Sequence, residues 1–348
     1  MSNNPITPTP PLNRDRMTKL LEKMGHSRIV VVGDVMLDRY LVGDTERLSP
    51  EAPVPVVTVH EHRAALGGAA NVAANVSAIG AQCRLVGVVG DDQEGGMLRQ
   101  EMATQRLDDR WLLAVAGRPT TSKTRVIARG QQVVRIDEEV DTLLNGPELE
   151  RLVALVQEAM SDADALLLED YNKGALAPAV IHAAMEAGRK RGVPIVVDPK
   201  FRQFFEYAGA TVFKPNKREL EQAMGATMYL AHPDALSSAL ERLKVDNLLL
   251  TLGADGMILM TRDRKTTQIP SLARDVYDVS GAGDTVTAWV GTALAAGAGV
   301  LEAAHLGNYA AGIEVGKSGV ATVSPAEVLT VHEERHYQIG RLRRGGLI

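Results

Sequence analysis

Short apolar segments recur along the chain with helical patterns between them, and this alternation restricts the fold more than any other feature of the sequence. The segments are rich in Val, Ile and Leu and are bounded by Gly, Pro or acidic residues. They lie at 28–35, 83–90, 165–170, 194–199 and 247–253. Because apolar residues occupy both faces of each segment, the pattern is typical of parallel strands covered on both sides.

Helical periodicity fills the intervals between these segments. It is found at 71–80, 94–106, 148–162, 177–192, 217–225 and 234–245. From residue 284 to about 317 the sequence predicts two further helices, separated at 297–300. Because strand, helix and strand in succession form the unit of a parallel sheet, we predict an α/β fold built on one mostly parallel sheet.

Two segments, 39–62 and 120–139, interrupt the alternation because they lack helical periodicity. The second reads as two strands joined by a glycine-containing turn, and three prolines in the first favour an edge strand. We predict that they belong to a small β lid over the active edge of the main sheet, formed by about 39–62 and 112–137.

Composition excludes several classes of protein. The net charge of −5 argues against a broad nucleic-acid or membrane surface. The single cysteine, Cys83, excludes an internal disulfide and makes a cysteine-based zinc site improbable. Residues 1–27 begin as a polar, proline-rich stretch without a secretory apolar region, so we predict a disordered leader there. We predict one main domain over 28–330 and a peripheral tail over 331–348. No apolar run is long enough to span a membrane, so we expect a cytoplasmic protein.

Polar residues follow the predicted strands, where an open parallel sheet binds its ligands. These residues are Asp34, Asp38, Glu169, Asp170, Lys173, Asp198, Lys200, Thr251 and Gly253. Strand ends are often polar in any protein, so the functional interpretation depends on the coincidence of several such residues.

The stretch YDVSGAGDT, residues 277–285, places three small residues before a strongly helical segment. A helix N-terminus offers free N–H groups, and Gly281, Ala282 and Gly283 would let an oxyanion approach them closely. Asp284 would then accept a proton from an attacking hydroxyl, which suits phosphoryl transfer. The same residues also suit an ordinary helix cap and tight turn, and this stretch alone does not separate the two interpretations.

Two other stretches carry a functional and a structural interpretation together. Gly67, Gly68 and Asn71 open an alanine-rich helix and could contact a sugar, although helix packing explains most of the alanines. Asn216 and Glu219 share one face of a helix start, where they could hold a water-coordinated Mg²⁺ or form a capping box, or both.

Basic residues are the candidate ligands for an anionic substrate. Lys123 and Arg125 share one face of a predicted lid strand, and Lys173 follows a strand of the main sheet. One or two of them could clamp a phosphate group, whereas a solvated strand face accounts for the other basic residues of the lid.

Four stretches taken together resemble the ribokinase or PfkB family of sugar kinases: GDVMLD, GGAAN, KPNKRE and DVSGAGDT. The resemblance covers residues 28 to about 325. It implies a ribokinase-like three-layer α/β/α fold with a β lid, the use of ATP and Mg²⁺ and, in some members, of a monovalent cation such as K⁺ bound near Asp278 and Ser280. It also implies a homodimer formed through the lid.

The resemblance assigns roles to matching positions. Asp284 corresponds to the catalytic base, and Gly281, Ala282 and Gly283 correspond to the anion hole. The expected sugar contacts are Asp34, Asp38, Gly67, Gly68 and Asn71. The expected ATP contacts are Asn216, Glu219, Thr251, Gly253 and Asn308, with Glu219 also holding Mg²⁺ through water. The candidates for a distal phosphate of the sugar are Lys123, Arg125 and Lys173.

Within the family, longer stretches such as GDVMLDRYLVGDTERLSPEAPVPVV and EDYNKGAL are similar to the kinases of the ADP-heptose pathway. That similarity implies ATP-dependent phosphorylation of the C1 hydroxyl of D-glycero-β-D-manno-heptose 7-phosphate to the 1,7-bisphosphate, which serves lipopolysaccharide inner-core synthesis. Such kinases are often fused to a nucleotidylyltransferase. No H-x-G-H motif is present here, so we expect the kinase half alone.

Two alternatives stay open: a kinase of the same family for another sugar, sugar phosphate or nucleoside, and an inactive sugar sensor with the same fold. A dinucleotide-dependent dehydrogenase is excluded by the lack of a G-x-G-x-x-G fingerprint. One residue departs from expectation, since Glu169 stands where we expect a small polar residue. Because its charge would repel a phosphorylated sugar, we predict that Glu169 points away from the site.

Overall fold

The computed structural model describes residues 12–230, 233–273, 276–317 and 319–344, and within these ranges thirteen strands form two sheets. The strands β1 to β13 are, in chain order, Arg28–Gly33, Val35–Leu48, Pro55–Gly68, Gln82–Gly90, Leu112–Val115, Ser122–Ala128, Gln131–Glu138, Ala165–Glu169, Ile195–Asp198, Val212–Phe213, Leu248–Thr251, Met257–Met260 and Thr266–Ile269. The five strands predicted from apolar segments, at 28–35, 83–90, 165–170, 194–199 and 247–253, are confirmed as β1, β4, β8, β9 and β11.

The helices α1 to α10 are, in chain order, Arg14–Met24, Ala69–Ile79, Gln93–Thr104, Gly146–Ala159, Pro178–Arg191, Lys217–Met224, Pro233–Leu243, Ala282–Ala295, Val300–Glu314 and Pro325–Arg344. The six helices predicted between strands are confirmed as α2 to α7. The predicted break at 297–300 is confirmed between α8 and α9.

The main sheet has nine strands in the order β13-β12-β11-β10-β9-β8-β1-β4-β5. The seven neighbouring strands β11, β10, β9, β8, β1, β4 and β5 pair in parallel. Strands β12 and β13 extend the sheet beyond β11 as antiparallel strands. The central register places Val31 beside Leu85 on one side and Leu167 on the other. Seven parallel strands therefore end at one edge of the sheet, as the α/β prediction requires.

Alternate residues of the central strands enter two separate cores. Val31 and Leu167 pack with buried residues of α1, α2, α8 and α9. Val30 and Leu166 pack on the opposite side, with buried residues of α4, α5 and α7. Because successive side chains of a strand point to opposite faces, this division confirms the three-layer α/β/α arrangement.

The second sheet has the order β3-β2-β6-β7 and corresponds to the predicted lid. A two-residue turn joins β6 to β7, with positive φ at Arg129 and Gly130, as right-handed strand twist favours. The predicted lid range of 112–137 begins too early, because 112–115 is β5 at the edge of the main sheet. The first lid segment of 39–62 is part of a longer hairpin, since β2 and β3 pair from Val35 to Gly68.

The predicted disordered leader is corrected by α1, which occupies part of 1–27. Met17 and Leu20 of this helix are completely buried against the core, because its apolar residues recur at helical spacing. Residues 1–11 of the leader lie outside the described residues. The predicted tail at 331–348 likewise begins within α10, where His332 is buried.

Among the helices of the described residues, every one is too short or too polar to cross a membrane.

Candidate active site

A cleft of about 450 Å³ opens at the carboxyl ends of β8 to β11. The start of α8 forms one wall, and the start of α6 forms another. The cleft contains all four predicted catalytic residues and all five predicted ATP contacts: Asn216, Glu219, Thr251, Gly253, Gly281, Ala282, Gly283, Asp284 and Asn308. The fold therefore brings together stretches that lie up to about a quarter of the chain apart.

The glycine that precedes α8 is required by its backbone and by its neighbours. Gly281 has a φ of 98°, which an L side chain rarely adopts. A β-carbon there would lie 2.9 Å from Asn71 Nδ2 and 3.2 Å from Glu314 Oε1. The chain therefore turns tightly into α8, and the first-turn N–H groups of that helix lie at the wall of the cleft.

Asp284 lies in the first turn of α8 and is 4% exposed. Its Oδ1 accepts a hydrogen bond of 2.8 Å from the Tyr171 hydroxyl, and its Oδ2 accepts one of 2.8 Å from Asn71 Nδ2. Burial raises the pKa of Asp284 to about 6, although both hydrogen bonds oppose the rise because they favour the anion. A carboxylate with this pKa is ionised at neutral pH and well suited to accept a proton.

Three carboxyl groups meet beneath the cleft, in what we call the carboxylate cluster: Glu169, Asp198 and Asp284, together with the Lys214 ammonium. Carboxyl oxygens of the three acids lie within 4.8 Å of one another. Lys214 Nζ lies 2.6 Å from Asp198 Oδ2 in a buried ion pair. The three acids are thus held together at the floor of the cleft with little exposure to water, and Lys214 is paired directly with one of them.

The prediction that Glu169 points away from the site is wrong. Glu169 is completely buried, and the parallel pairing of β8 with β9 places it beside Asp198. As a carboxylate it accepts no hydrogen bond, whereas a protonated Glu169 can donate one to Asp198. Burial and the charges of Asp198 and Asp284 raise the pKa of Glu169 well above its ordinary value, so the neutral acid is the favoured form.

Asp34 has a structural position that argues against contact with a substrate. Its carboxylate is 2% exposed and accepts hydrogen bonds from the N–H groups of Tyr171, Lys173 and Ala175, at 2.8, 2.9 and 3.0 Å. Asp34 therefore fixes the loop after β8 that carries Tyr171 to Asp284.

Asp38 pairs with Arg125, whose guanidinium lies over the Tyr40 ring at 5.4 Å from its centre. A β-carbon on Gly67 would overlap the Asp38 carboxylate, so this glycine makes room for the ion pair. Gly68, with a φ of 55°, turns the chain into α2. Arg125 thus pairs with Asp38, whereas Lys123 pairs with other carboxylates, so the two side chains have different partners in this structure. The role of Arg125 in binding a phosphate group stays a prediction.

The other two basic candidates converge on one carboxylate. Lys173 Nζ lies 2.7 Å from Glu139 Oε1, and Lys123 Nζ lies 3.0 Å from Glu139 Oε2. Asp137 lies 3.5 Å from the same Lys123 ammonium. We call these four residues the lid cluster. It is half-buried, and its charges are balanced.

Asn216 and Glu219 form a complete capping box at α6. Asn216 Oδ1 accepts from the Glu219 N–H, and Glu219 Oε2 accepts from the Asn216 N–H, both at 2.8 Å. Glu219 Oε1 also pairs with Lys200. The capping interpretation is confirmed, and both side chains still line the cleft. Asn308 donates to the Pro270 carbonyl at 2.9 Å, which fixes its amide at the cleft.

Tyr171 and Lys214 are site residues for which the sequence analysis assigned no role. Tyr171 lies immediately after the predicted strand at 165–170, so its place in the chain carried a weak signal. Lys214 follows the two-residue strand β10 and opens the KPNKRE stretch, in which only Asn216 and Glu219 were given roles. Burial and the charge of Asp284 raise the pKa of Tyr171, which keeps its hydroxyl a donor.

The chain is similar to curated proteins named bifunctional protein HldE. The chain is 40% identical over 327 residues to the bifunctional protein HldE of Trichlorobacter lovleyi, covering 93% of this chain and 67% of that protein. It is 40% identical over 332 residues to the HldE of Rhodospirillum rubrum, covering 94% and 66%. The chain thus spans about two thirds of the length of these relatives.

Solved structures share the fold at lower identity. Arabidopsis thaliana ribokinase, solved with ribose and ATP, aligns with a TM-score of 0.69 and 22% identity over 88% of this chain and 99% of its own. Escherichia coli phosphofructokinase-2, solved with fructose-6-phosphate, aligns with a TM-score of 0.72 and 19% identity over the same shares. The ribokinase-like fold is thereby confirmed.

Residues 26–327 match the profile of the pfkB family carbohydrate kinases, a span that includes the cleft, the carboxylate cluster and the lid. The chain belongs to the pfkB family of carbohydrate kinases.

Proposed function

We propose that the protein transfers the γ-phosphoryl group of ATP to the C1 hydroxyl of D-glycero-β-D-manno-heptose 7-phosphate, giving the 1,7-bisphosphate for ADP-heptose and lipopolysaccharide inner-core synthesis. The observation that carries the kinase chemistry is Asp284, an ionisable carboxylate at the helix N-terminus that walls the cleft. The choice of acceptor is supported by the similarity to HldE proteins and by the two lysines of the lid cluster.

In the proposed reaction Asp284 accepts the proton of the sugar hydroxyl as that oxygen forms its bond to phosphorus. The bond between the γ-phosphorus and the bridging oxygen breaks, and ADP leaves with the electron pair. Tyr171 and Asn71 fix the Asp284 carboxylate by one hydrogen bond to each oxygen. The N–H groups of Gly281, Ala282 and Gly283 are placed to bind the phosphoryl oxygens as charge spreads over them.

The nucleotide end of the cleft fits a divalent cation. Glu219 offers carboxylate oxygens of the kind that Mg²⁺ prefers, and each keeps a free lone pair beside its present hydrogen bond or ion pair. Mg²⁺ held there through water would neutralise charge on the phosphates of ATP. The proposed ATP contacts remain Asn216, Thr251, Gly253 and Asn308.

A monovalent cation near Asp278 and Ser280 stays a prediction. The Asp278 carboxylate accepts a hydrogen bond of 2.9 Å from the Ser280 N–H, so the loop before α8 is ordered around an acid. Escherichia coli phosphofructokinase-2, which shares the fold, has been solved with potassium. Activity measured in K⁺ against a bulky organic cation at equal ionic strength tests this site.

Association of two copies through the lid is also a proposal. Strand β7 is exposed along its whole length, and Val133, Val134 and Ile136 are between 42% and 50% exposed. An exposed apolar edge strand is a natural surface for pairing with a second copy. Sedimentation equilibrium of the protein and of the double variant Val134→Lys, Ile136→Lys tests it, and monomeric wild-type protein would contradict it.

The experiment that tests the function is ADP release from Mg-ATP with matched acceptors: heptose 7-phosphate, unphosphorylated heptose, fructose 6-phosphate, ribose and a nucleoside. Turnover confined to heptose 7-phosphate would support the full proposal. Turnover of another acceptor would keep the roles of Asp284 and the α8 N–H groups but replace the substrate. Folded, ATP-binding protein that turns over none of them would favour the sugar sensor.

A further inference from the structure

Glu139 occupies the lid cluster in the manner of a bound anion. Each of its carboxylate oxygens contacts a different ammonium group, Lys173 at 2.7 Å and Lys123 at 3.0 Å. Both lysine side chains are 17% exposed, and that of Glu139 is 29% exposed. Two ammonium groups that converge on one bridging oxyanion form a site that would hold a phosphate group equally well.

Glu139 belongs to an acidic strap, residues 137–141, that pairs with basic residues of the lid and of the loop after β9. Asp137 pairs with Lys123 and Arg135, and Asp141 pairs with Arg202. The strap begins in the last two residues of β7 and continues beyond it, so it is continuous with the lid.

The Lys173 end of this anion site lies on the same loop as Tyr171, whose hydroxyl contacts the catalytic base. The Tyr171 hydroxyl donates to Asp284. Because Lys173 lies two residues after Tyr171, the α-carbons of Tyr171 and Lys173 are at most about 7 Å apart. Asp34 holds both backbone N–H groups and thereby fixes this separation. An acceptor whose hydroxyl reaches Asp284 could therefore extend its far end towards Lys173.

We propose that Glu139 is a built-in competitor for the anionic end of the acceptor, which occupies the site between Lys123 and Lys173 until the phosphate group of a sugar displaces it. This inference rests on the proposed function in taking the acceptor to be a sugar phosphate. A phosphate group carries nearly two negative charges and three oxygens, so it can replace a single carboxylate between the lysines. A neutral sugar cannot, and it leaves the strap closed.

The charge state of Glu139 agrees with this role. Partial burial by itself would raise the pKa of Glu139, but the hydrogen bonds and charges of Lys173 and Lys123 outweigh burial and lower it below its ordinary value. The carboxylate is thus ionised at neutral pH and competes throughout the range in which a kinase works.

The test is the affinity of Glu139→Gln for acceptors, measured by calorimetry on the full chain without ATP. Loss of two half-exposed ion pairs should let the variant bind heptose 7-phosphate roughly threefold to tenfold more tightly than wild type. Its affinity for unphosphorylated heptose should not change. The matched control is Glu138→Gln, which removes the same charge one residue away, where the carboxylate contacts Ser122 Oγ at 3.3 Å and neither lysine.

Three results of this affinity measurement would overturn the proposal. Unchanged affinity for the phosphorylated sugar would show that Glu139 does not compete, and weaker binding would show that it instead positions the lysines. An equal gain in Glu138→Gln would reduce the effect to net charge. Inorganic phosphate serves as a second probe if heptose 7-phosphate proves not to be the acceptor. Tighter phosphate binding by Glu139→Gln then keeps the competitor role while the substrate assignment fails.

Discussion

The carboxylate cluster and the lid cluster balance their charges in different ways. In the first, Glu169, Asp198 and Asp284 face Lys214 with almost no exposure to water. In the second, Lys123 and Lys173 face Glu139 and Asp137 with part of every side chain exposed. A deeply buried site with more acids than bases takes up a proton, because an unpaired buried charge is costly. A half-exposed site can keep every group ionised.

This difference matches the tasks that we propose for the two clusters. Proton transfer needs a carboxylate whose pKa lies near neutrality, and burial supplies it. Recognition of a phosphate group needs full positive charges that can exchange one anion for another, and partial exposure allows that exchange. Variants that alter one cluster at a time test this division of tasks.

The largest effect is expected for Asp284→Asn, which removes the proposed base and leaves its volume. Turnover should fall about 10²- to 10⁴-fold, because the amide cannot take the proton of the sugar hydroxyl. ADP release measures the loss. Unfolding and ATP binding serve as controls and should stay close to wild type. Turnover within a few-fold of wild type would contradict the proposal that Asp284 is the general base.

The next largest effect is expected for Lys214→Met, which removes the ion-pair partner of the buried Asp198. Removing one partner of a buried ion pair typically lowers the free energy of unfolding by about 3–5 kcal/mol. Chemical unfolding at pH 7 measures it. The matched control is Lys190→Met, which breaks the exposed pair with Glu186 and should change stability little. Equal losses in the two variants would contradict the contrast between sealed and exposed charges.

The pH dependence of turnover should report Asp284 directly. Since its pKa is raised to about 6, kcat/KM should fall as the pH drops through about 6, because the base becomes protonated. Tyr171→Phe removes a donor that favours the anion, so the pKa should rise further and the acid limb should move up by about one pH unit.

The control for this shift is Tyr207→Phe. Tyr207 donates to Asp170 at 2.8 Å in a buried site outside the cleft, so its loss should leave the limb in place. An acid limb that does not move in Tyr171→Phe would mean that the profile reports another group.

Much of this site followed from the sequence because the relevant signals are local. Five strands showed unbroken apolar runs, and the start of α8 showed the glycines that a tight turn into a helix requires. What could not be predicted depends on register and pairing. Glu169 points into the site because β8 pairs with β9 at Asp198, and a strand end by itself does not show which face its last side chain takes. Arg125 forms an ion pair with Asp38 because β2 pairs with β6 in the lid, and no local sequence pattern predicts that strand pairing.

The smallest effect is expected for Glu169→Gln. This variant tests whether Glu169 is uncharged, in contrast to the ionised groups of the lid cluster. If Glu169 is a neutral acid, glutamine keeps its shape and a donor towards Asp198, so the free energy of unfolding should change by less than about 1 kcal/mol near pH 5. The raised pKa of Glu169 means that the folded wild type holds a proton that the unfolded chain releases above about pH 4.5. Wild-type stability should therefore decline as pH rises from there towards the folded-state pKa.

The glutamine variant lacks this decline. Chemical unfolding from pH 5 to 9 should therefore show that the free energy of unfolding of the variant increases relative to that of wild type as pH rises. Asp198→Asn is the contrasting variant, because it breaks the buried pair with Lys214 and should lose stability at neutral pH. A large loss in Glu169→Gln across the whole pH range would show that Glu169 works as an anion. Lys214 would then be shared between two carboxylates, and the sealed cluster would balance its charges by pairing, as the lid cluster does.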